Sequence, residues 1–471
     1  MNLERLDRYA DALNALADEI WDYAELAFRE KRSAAAMTTF LEKEGFRVTR
    51  GLAGMETAYV AECGHGKPVI CVLGEYDALD GLSQVADRAA YEQREGTTRG
   101  HGCGHQLLGV GAIGACLLLR DWLAETGHVG TVRMVGCPAE EEGSGKAYLA
   151  RSGFFADCDV ALSWHPSAYN QIMGGRSQAC IAAWFRFHGK AAHAAGAPYH
   201  GRSALDAVEL MDIGANYLRE HIEPGECLHY AITNSGGVSP NVVQSEAEVY
   251  YFVRSTSGPK CRKLYDRVIN LARGAALMTE TTMDVVFGDG LYDQLPNYVL
   301  QDVLMDCLNE VGPNDYTEAE LAYAQRFKDT VPLQQILEED LTEMVVNQAE
   351  TREDERKNPV CRIILQNRNL DITTPGSTDV GDVSWVVPTA QINTACYSYG
   401  TPGHSWQLVA QGKSSIAHKG MLMASKVLAL GAEKLLLQPE LIEKAKEEFT
   451  RRLNGYTYES LIPMEKQPPV Y

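Results

Sequence analysis

Four short clusters in the chain carry side chains that bind divalent metal ions. They are His-Gly-Cys-Gly-His at 101–105, Pro-Ala-Glu-Glu-Glu at 138–142, Trp-His-Pro at 164–166 and Gly-His-Ser-Trp at 403–406. Thiolate, imidazole and carboxylate groups are the ligands that zinc and related ions take from proteins. Most of these clusters follow a short apolar run that is typical of a β-strand. We therefore expect one metal site built from distant parts of the chain, with hydrolytic chemistry.

Each cluster taken alone also has an ordinary structural explanation. Cys103 and His105 fit a glycine turn with a buried cysteine and a polar histidine. The glutamates at 140–142 fit a solvated acidic run, and His165 or His404 fits a hydrogen-bonded structural histidine. Their joint occurrence near strand ends favours the metal site. In a tight turn, one of two adjacent glutamates can hold a metal while the other takes a proton from metal-bound water.

Two other features near these clusters also have alternative explanations. Gly109, Gly111 and Gly114 match the Gly-x-Gly-x-x-Gly pattern of dinucleotide sites, but they lie inside an apolar helical run with no strand directly before it. We interpret them as sites of close helix packing. Asp77, at the end of an apolar strand, is either a residue that orients a metal ligand or a turn residue.

Composition limits the class of protein. A chain of 471 residues predicts two domains, and a net charge of −20 argues against nucleic acid or an anionic membrane as partner. We expect no apolar run that approaches the roughly 18 residues of a membrane span. The first five residues open an amphipathic helix without a signal-peptide core, which predicts a cytoplasmic protein. The 12 cysteines show no paired spacing, so we expect no disulfide framework.

Apolar runs that alternate with helical patterns predict an α/β fold with a mostly parallel sheet. Ligands beyond the carboxyl ends of strands fit the usual site of such sheets. The strands are expected at 69–73, 131–137, 160–164 and 391–399, with His165 just past the third, and the helices at 3–26, 107–123 and 415–437. Residues 82–100 are expected to form a loop, and 310–375 a polar, acidic, loop-rich insertion.

The pattern changes between residues 178 and 292. It predicts strands at 178–187, 228–233, 247–254 and 281–287, with helices at 203–222 and 259–280. The order β-α-β-β-α-β is that of a ferredoxin-like domain. We therefore expect a discontinuous catalytic domain, 1–177 and 293–471, interrupted by an inserted domain at 178–292.

The clusters also resemble those of a large metallopeptidase family that includes aminoacylases, carboxypeptidases and indole-acetyl-amino-acid amidohydrolases. The matching segments run nearly end to end: Gly-Glu-Tyr-Asp-Ala-Leu at 74–79, the clusters at 101–105, 138–141 and 164–166, Gly-Lys-Ala-Ala-His-Ala-Ala at 189–195 and Gly-Thr-Pro-Gly-His at 400–404. The resemblance implies a zinc-exopeptidase catalytic domain of the phosphorylase/hydrolase-like type, with an inserted ferredoxin-like (α+β) lid and dimerisation domain.

The resemblance also implies a set of site residues. Two divalent ions, Mn²⁺ or Zn²⁺, would be held by Cys103, His105, Glu141, His165 and His404. Glu140 would be the general base and proton shuttle. His193 and Asn241 would reach the other protomer's active site across a dimer interface, and Arg254 would bind the substrate's carboxylate.

This chain departs from the family pattern in places. A third glutamate and glycines follow the glutamate pair, Gln106 stands where relatives carry an acid or asparagine, and Thr378 stands where many have glutamate before Asp379. Segment 310–375 differs most, which bears on the substrate rather than on the chemistry.

The resulting hypothesis is a metal-dependent amidohydrolase of N-acyl amino acids, with p-aminobenzoyl-glutamate or a related aromatic acyl-amino acid favoured by the resemblance. The alternatives are a dipeptidase or a general N-acyl-amino-acid deacylase and, from another class, a catalytically silent partner subunit. A structural zinc protein would need four ligands in one short segment, which the sequence lacks. The expected partners are the small-molecule substrate and a second copy of the chain, with a different second subunit left open.

Overall fold

The computed structural model of the protein describes residues 1–337, 355–366, 368, 372–374 and 376–471. These residues are organised around two β-sheets, one of eight strands and one of four. The chain forms most of the large sheet first, then the whole small sheet, and then returns to the large one. The small sheet therefore interrupts the part of the chain that carries the ligand clusters.

The strands of the large sheet are β1 (Arg47–Arg50), β2 (Tyr59–His65), β3 (Val69–Glu75), β4 (Gly130–Cys137), β5 (Val160–Ser167), β6 (Asn170–Ile172), β11 (Ile364–Leu365) and β12 (Thr389–Ala395). Their order in the sheet is β1-β2-β4-β3-β5-β12-β6-β11. The central strands β4, β3, β5 and β12 run parallel to one another, while β1, β2 and β6 join by antiparallel pairs. The carboxyl ends of the central strands thus meet at one edge.

Helices cover the large sheet. They are α1 (Asp7–Tyr23), α2 (Lys31–Lys43), α3 (His105–Thr126), α4 (Gly145–Arg151), α7 (Tyr298–Val311), α8 (Glu318–Lys328), α9 (Val380–Ser384), α10 (Trp406–Gln411), α11 (Ser415–Leu437) and α12 (Pro439–Leu453). The predicted helix at 415–437 is found with the same bounds. The one predicted at 3–26 is a short 3₁₀ turn at Leu3–Leu6 followed by α1.

Helix α3 is the centre of the larger core. A Cβ atom on Gly109 would come within 2.6 Å of the Glu75 carbonyl oxygen, one on Gly111 within 2.6 Å of the Trp164 ring, and one on Gly114 within 2.4 Å of Ser425 Oγ. The three glycines therefore allow close packing of the helix, as the sequence indicated, and they form no nucleotide loop.

By length and composition alone, α3 could also cross a membrane, although 83% of its apolar window is buried inside the protein. The prediction that no apolar run approaches about 18 residues was wrong for this helix. A core helix that is covered on all sides needs no polar face, and so it meets the same test as a membrane span.

The small sheet belongs to a compact group of four strands and two helices. These elements are β7 (Ala179–His188), α5 (Ala204–Leu218), β8 (Cys227–Asn234), β9 (Glu246–Ser255), α6 (Gly258–Thr279) and β10 (Thr282–Leu291). The strand order is β10-β7-β9-β8, and all pairs are antiparallel. Helices α5 and α6 pack on one face, where Ile181, Phe185 and Tyr251 are buried. This is the ferredoxin-like arrangement, and the predicted fold class is confirmed. The domain bounds, 178–292, stay a prediction.

Three sequence predictions about the elements need correction. Strand β5 continues to Ser167, so His165 lies within the strand rather than past its end, and the last strand ends at Ala395 instead of 399. Segment 310–375 is not simply loop, because α8 begins there with a capping box between Thr317 and Glu320. Residues 338–354 of that segment lie outside the described part of the chain.

Candidate metal centre

The structure brings the five predicted metal ligands together at the carboxyl edge of the large sheet. His105 is the first residue of α3, Glu141 follows β4, and His165 lies near the end of β5. Two sets of side chains have ligand atoms within 4.8 Å of one another: Cys103, His105 and His165, and Cys103, Glu141 and His404. Because both sets include Cys103, this arrangement suits two ions that share one thiolate.

Asp77 holds the imidazole ring of His105 and the backbone of Glu141. Its Oδ1 lies 2.8 Å from His105 Nδ1, and its Oδ2 accepts a hydrogen bond of 2.9 Å from the backbone N–H of Glu141. A proton on Nδ1 leaves the lone pair of His105 Nε2 free for a metal. Of the two roles considered for Asp77, the structure favours the orienting one over a simple turn.

The environment of these ligands fits a cation. Among the described residues, Glu141 Oε1 is buried without a hydrogen-bond partner, which is costly for a polar atom. His105 Nε2 is buried and faces the Glu75 carboxylate at 3.1 Å. Burial raises the pKa of Cys103 to about 12 and lowers that of His165 to about 4. Sulfur, nitrogen and oxygen donors gathered at one point are the set expected around divalent metal ions.

His404 is the most open of the five predicted ligands. Its backbone has a φ of 49°, which is uncommon for a residue other than glycine, and its N–H donates to the carbonyl of Gly102 at 3.0 Å. Its Nε2 lies 3.5 Å from Glu141 Oε2, and its side chain is 57% exposed. The turn thus carries His404 over the cluster from the solvent side.

The turn that carries Glu140 is held from behind by a carboxylate that sequence reasoning missed. Glu30 is fully buried and accepts hydrogen bonds from the N–H of Ala139 at 2.8 Å and from Thr57 Oγ1 at 3.0 Å. Ala139 and Ser144, on either side of the glutamates, both have positive φ, at 59° and 52°. Strained backbone of this kind persists only where the surroundings hold it, and it is frequent at functional sites.

The surroundings of Glu140 oppose the loss of its proton. Burial, followed by the nearby carboxylates of Glu75 and Asp379, raises the pKa of Glu140 well above its ordinary value. Glu75, His105 and Glu140 also have ligand-type atoms within 4.8 Å of one another. Glu140 therefore lies beside the predicted metal ligands, where a carboxyl group with a raised pKa can take up a proton.

A buried ion-pair network behind the site was also not predicted. The Lys146 ammonium group, at 0% exposure, lies 2.6 Å from Glu75 Oε1 and 2.6 Å from Asp379 Oδ1. The backbone N–H of Lys146 donates to the other oxygen of Asp379 at 2.8 Å. Burial alone would raise the pKa of Glu75, but Lys146 and then His105 bring it below the ordinary value. Lys146 thus keeps a carboxylate charged next to His105, whose Nε2 lies 3.1 Å from Glu75.

The structure does not bring His193 and Asn241 to this cluster. Both are exposed on two neighbouring loops of the small-sheet part, where the N–H of Ala194 donates to the carbonyl of Asn241 at 3.0 Å. His193 Nδ1 accepts from the N–H groups of Ala195 and Gly196, at 3.2 and 3.1 Å. Its described contacts are therefore with its own and the adjacent loop.

Arg254, the predicted carboxylate partner, lies between the two parts of the molecule. It is half-buried near the end of β9, and its Nη1 donates to Ser377 Oγ at 2.7 Å. Ser377 is two residues before Asp379 of the ion-pair network. The predicted substrate-binding arginine is thus tied to the segment that carries Asp379 of the ion-pair network.

Comparison with known proteins agrees with this geometry. The model for "Peptidase family M20/M25/M40" matches residues 71–429. The chain is 44% identical to one of the p-aminobenzoyl-glutamate hydrolase subunits of Escherichia coli (strain K12), over 98% of this chain and 96% of the relative. It is 29% identical to the Xaa-Arg dipeptidase of Mus musculus, over 96% and 91% of the two chains.

Solved structures share the fold. The Bacillus subtilis YXEP protein, described as a dinuclear metal binding peptidase from the M20 family, superposes with a TM-score of 0.55 at 15% identity, over 90% of this chain and 99% of that one. The predicted resemblance is confirmed by the match of the family model and by the identity to the Escherichia coli relative over nearly the whole chain. The chain belongs to peptidase family M20/M25/M40.

Proposed function

We propose that the protein is a dinuclear metal-dependent amidohydrolase that cleaves p-aminobenzoyl-glutamate or a closely related aromatic acyl-amino acid. The observation that carries the proposal is the pair of ligand sets that share Cys103 beside Glu140. The name of the Escherichia coli relative, at 44% identity over nearly the full chain, supports this choice of substrate. A dipeptidase is the second candidate, because the mouse relative with that name also matches over nearly the whole chain.

The proposed cofactor is a pair of Zn²⁺ or Mn²⁺ ions held by Cys103, His105, Glu141, His165 and His404. When bound, such ions lower the pKa of a water molecule and polarise the amide carbonyl. Glu140 takes the proton of the attacking water and returns it to the leaving nitrogen. Its environment, which raises its pKa, suits a group that must both accept and release a proton in one cycle.

His193 is proposed to act in the active site of a second protomer. Because its Nδ1 accepts two backbone hydrogen bonds, the neutral imidazole carries its proton on the other ring nitrogen, Nε2. Such an N–H can donate to the oxyanion that forms on the substrate carbonyl. The side-chain amide of Asn241, on the adjacent loop, would donate a hydrogen bond to the same oxyanion, beside His193.

The proposed assembly is a homodimer formed through the small-sheet part. Its edge strand β8 and helix α5 expose large apolar side chains, among them Ile232 at 46%, Ile213 at 49% and Tyr217 at 70%. The name of the Escherichia coli relative makes it one subunit of its hydrolase, so a different second subunit is the other arrangement to test. A cytoplasmic location is proposed because the 12 cysteines are free thiols, as is usual in a reducing compartment.

Arg254 is proposed to bind the α-carboxylate of the substrate. A net charge of −20 repels an anionic substrate at long range, so recognition needs a local cation. Arg254 donates to the neutral Ser377 in this structure, and a carboxylate can replace that partner. Lysine cannot reproduce the two parallel hydrogen bonds of a guanidinium group. Arg254→Lys should therefore raise KM for acyl-glutamates.

The test of the function is metal analysis and a substrate screen on the purified, metal-loaded protein. We expect bound metal, hydrolysis of p-aminobenzoyl-glutamate, and no hydrolysis when the α-carboxylate is amidated. Cys103→Ser and His404→Ala should lose metal and activity while the far-ultraviolet circular dichroism stays unchanged. Full metal occupancy in both variants would contradict the ligand assignment. Faster cleavage of dipeptides than of any acyl-glutamate would favour the second candidate.

The shared active site has its own test. Glu140→Ala and His193→Ala should each be inactive alone. A mixture of the two should recover part of the activity, because a mixed dimer contains one site with an intact Glu140 and an intact His193. Failure to recover activity, after subunit exchange has been shown with labelled protein, would rule out the shared site.

A further inference from the structure

The face of the small sheet opposite α5 and α6 carries a row of aromatic side chains. Side chains alternate between the two faces of a strand, so Trp184 on β7, with Tyr250 and Phe252 on β9, lie on the face away from the helices. The Trp184 and Tyr250 rings are stacked, with centroids 4.0 Å apart and planes 12° apart. Phe252 meets Tyr250 edge to face at 5.1 Å. We call these three side chains the aromatic row.

The aromatic row ends at Arg254. The guanidinium carbon of Arg254 lies 5.6 Å from the centre of the Phe252 ring. At the other end, a Cβ on Gly288 of β10 would lie 2.8 Å from the Trp184 ring. A side chain at this position would therefore collide with the indole. The row is therefore a continuous apolar surface with one cation at its end.

This surface faces the segments that build the metal centre. Arg254 donates to Ser377, and Asp289 of β10 accepts from Ser144 Oγ at 2.9 Å, three residues beyond Glu141. Burial, followed by the charges of Asp289, Cys180 and Glu142, raises the pKa of Tyr250 to about 12. The phenol of Tyr250 is thus close enough to the glutamate turn to be influenced by its charge.

The side chains of the aromatic row are only partly covered. Trp184, Tyr250 and Phe252 all keep contact with solvent, whereas Phe185, next along β7 on the helix side, is fully buried. Large aromatic side chains contribute most to stability when they are fully buried. Aromatic rings left half-open, in a stack and beside a site, are instead suited to bind a planar ligand group.

We propose that the aromatic row binds the aromatic acyl group of the substrate and makes the enzyme prefer aromatic over aliphatic acyl groups. The spacing fits, because alternate residues of a strand are roughly 7 Å apart. In an aroyl-amino acid, the α-carboxylate carbon and the ring centre are roughly 6 Å apart on standard bond lengths. The ring centre of Phe252 lies 5.6 Å from the guanidinium carbon of Arg254, and that of Tyr250 lies 5.1 Å from Phe252. With the carboxylate on Arg254, the aromatic ring of the substrate therefore lies over Phe252, with its far edge towards Tyr250. This inference rests on the proposed function and specifies which part of the substrate the aromatic row binds.

The experiment compares two substrates that release the same amino acid, p-aminobenzoyl-glutamate and N-acetylglutamate. The metal-loaded protein is assayed as wild type, Tyr250→Leu and Trp184→Leu. Tyr230→Leu is the matched control, because Tyr230 lies on the other face of the same sheet, stacked on Tyr251 at 5.2 Å. We expect the ratio of kcat/KM for the two substrates to fall about tenfold in the first two variants, the size of a lost aromatic pair. The control should keep the wild-type ratio.

Two results would overturn the inference. An equal loss of kcat/KM on both substrates would mean that the aromatic row only supports the sheet. An unchanged ratio in Tyr250→Leu would mean that the acyl group binds elsewhere.

A binding experiment distinguishes failure of the proposed function from failure of this inference. If the wild type cleaves neither acyl-glutamate, that function is wrong, and the aromatic row is then judged by calorimetric titration with hippurate and N-acetylglycine. We expect hippurate to bind more tightly to the wild type and to lose that preference in Tyr250→Leu. Equal binding of the two probes to the wild type would overturn the inference.

Discussion

The two parts of the molecule hold their functional side chains in different ways. At the edge of the large sheet, buried partners hold two of the central side chains: Asp77 holds His105, and Lys146 holds Glu75 beside it. On the small-sheet part, His193 is exposed, and the side-chain hydrogen bonds that orient it within the described part of the chain come from the N–H groups of its own loop. Ligands that are held in place favour metal binding, whereas groups that contact the substrate can be brought into position later by domain closure or by a second chain.

The largest effect is expected from the loss of Glu140, which lies on the large-sheet part of the molecule. We expect Glu140→Gln to keep its metal and to lower kcat by about 10²–10⁴-fold, because the amide cannot carry a proton from water to the leaving nitrogen. Steady-state kinetics with metal analysis of the same sample measures this. Glu142→Gln, in the same turn but exposed, is the control and should stay near wild type. Near-normal turnover in Glu140→Gln would place the base elsewhere.

The buried network should matter for stability as well as for the site. Lys146→Met leaves Glu75 and Asp379 together without a cation, and we expect a loss of about 3–5 kcal/mol in the free energy of unfolding. Urea denaturation of the metal-free protein measures it without interference from bound metal. The control is Lys434→Met, which breaks a partly exposed pair with Glu310 and should cost about 1 kcal/mol or less. Equal losses in the two variants would mean that the buried network contributes no more to stability than a partly exposed ion pair.

A smaller effect is expected when only the orientation of a ligand is weakened. Asp77→Asn keeps an oxygen for one hydrogen bond but loses the charge that favours the correct tautomer of His105. We expect a drop in metal affinity of about 10–100-fold, measured by competition with a chelator. Asp80→Asn, an exposed position three residues further on, should leave the affinity unchanged. An unaltered affinity in Asp77→Asn would show that α3 alone positions His105.

The smallest effect is expected from an exposed charge cluster on the small sheet. His188 Nδ1 lies 2.6 Å from Glu246 and Nε2 lies 2.8 Å from Asp284, and the hydrogen bond to Asp284 is the main cause that raises the pKa of His188. A raised histidine pKa gives stability that is fully present below the unfolded value of about 6.5 and is lost as pH rises through the folded value. The difference in Tm between wild type and His188→Ala should therefore shrink from pH 5.5 to pH 8.5. A constant difference would point to packing instead of charge.

The sequence was most informative where residue type and local pattern coincide. Cys103, His105 and Glu141 could be predicted to cluster because parallel strands end at one edge of a sheet, whatever their separation in the chain. The helix at 415–437 was predicted with its bounds because its apolar periodicity is long. The short elements β1, β6, α4 and α9 were missed, since so few residues carry no clear periodicity.

The ion-pair network and the open loops could not be predicted, for two different reasons. Lys146 is separated from Asp379 by 233 positions, and an isolated lysine after glycines is ordinarily a surface residue. The partners of a lysine are a property of the folded chain, and no local pattern encodes them. The expected role of His193 depends on a second protomer, and one chain cannot contain that contact.

The packing of α3 also has a consequence for how the protein is made. Ser425 of α11 donates to the Gly111 carbonyl across 314 positions of the chain. At about 5–20 residues per second, a ribosome needs roughly 15–60 s to synthesise that length. During this interval an apolar helix that could enter a lipid bilayer has left the ribosome without the partner that covers it. Newly made chains should therefore depend on chaperones until α11 emerges, more than the stability of the finished fold would suggest.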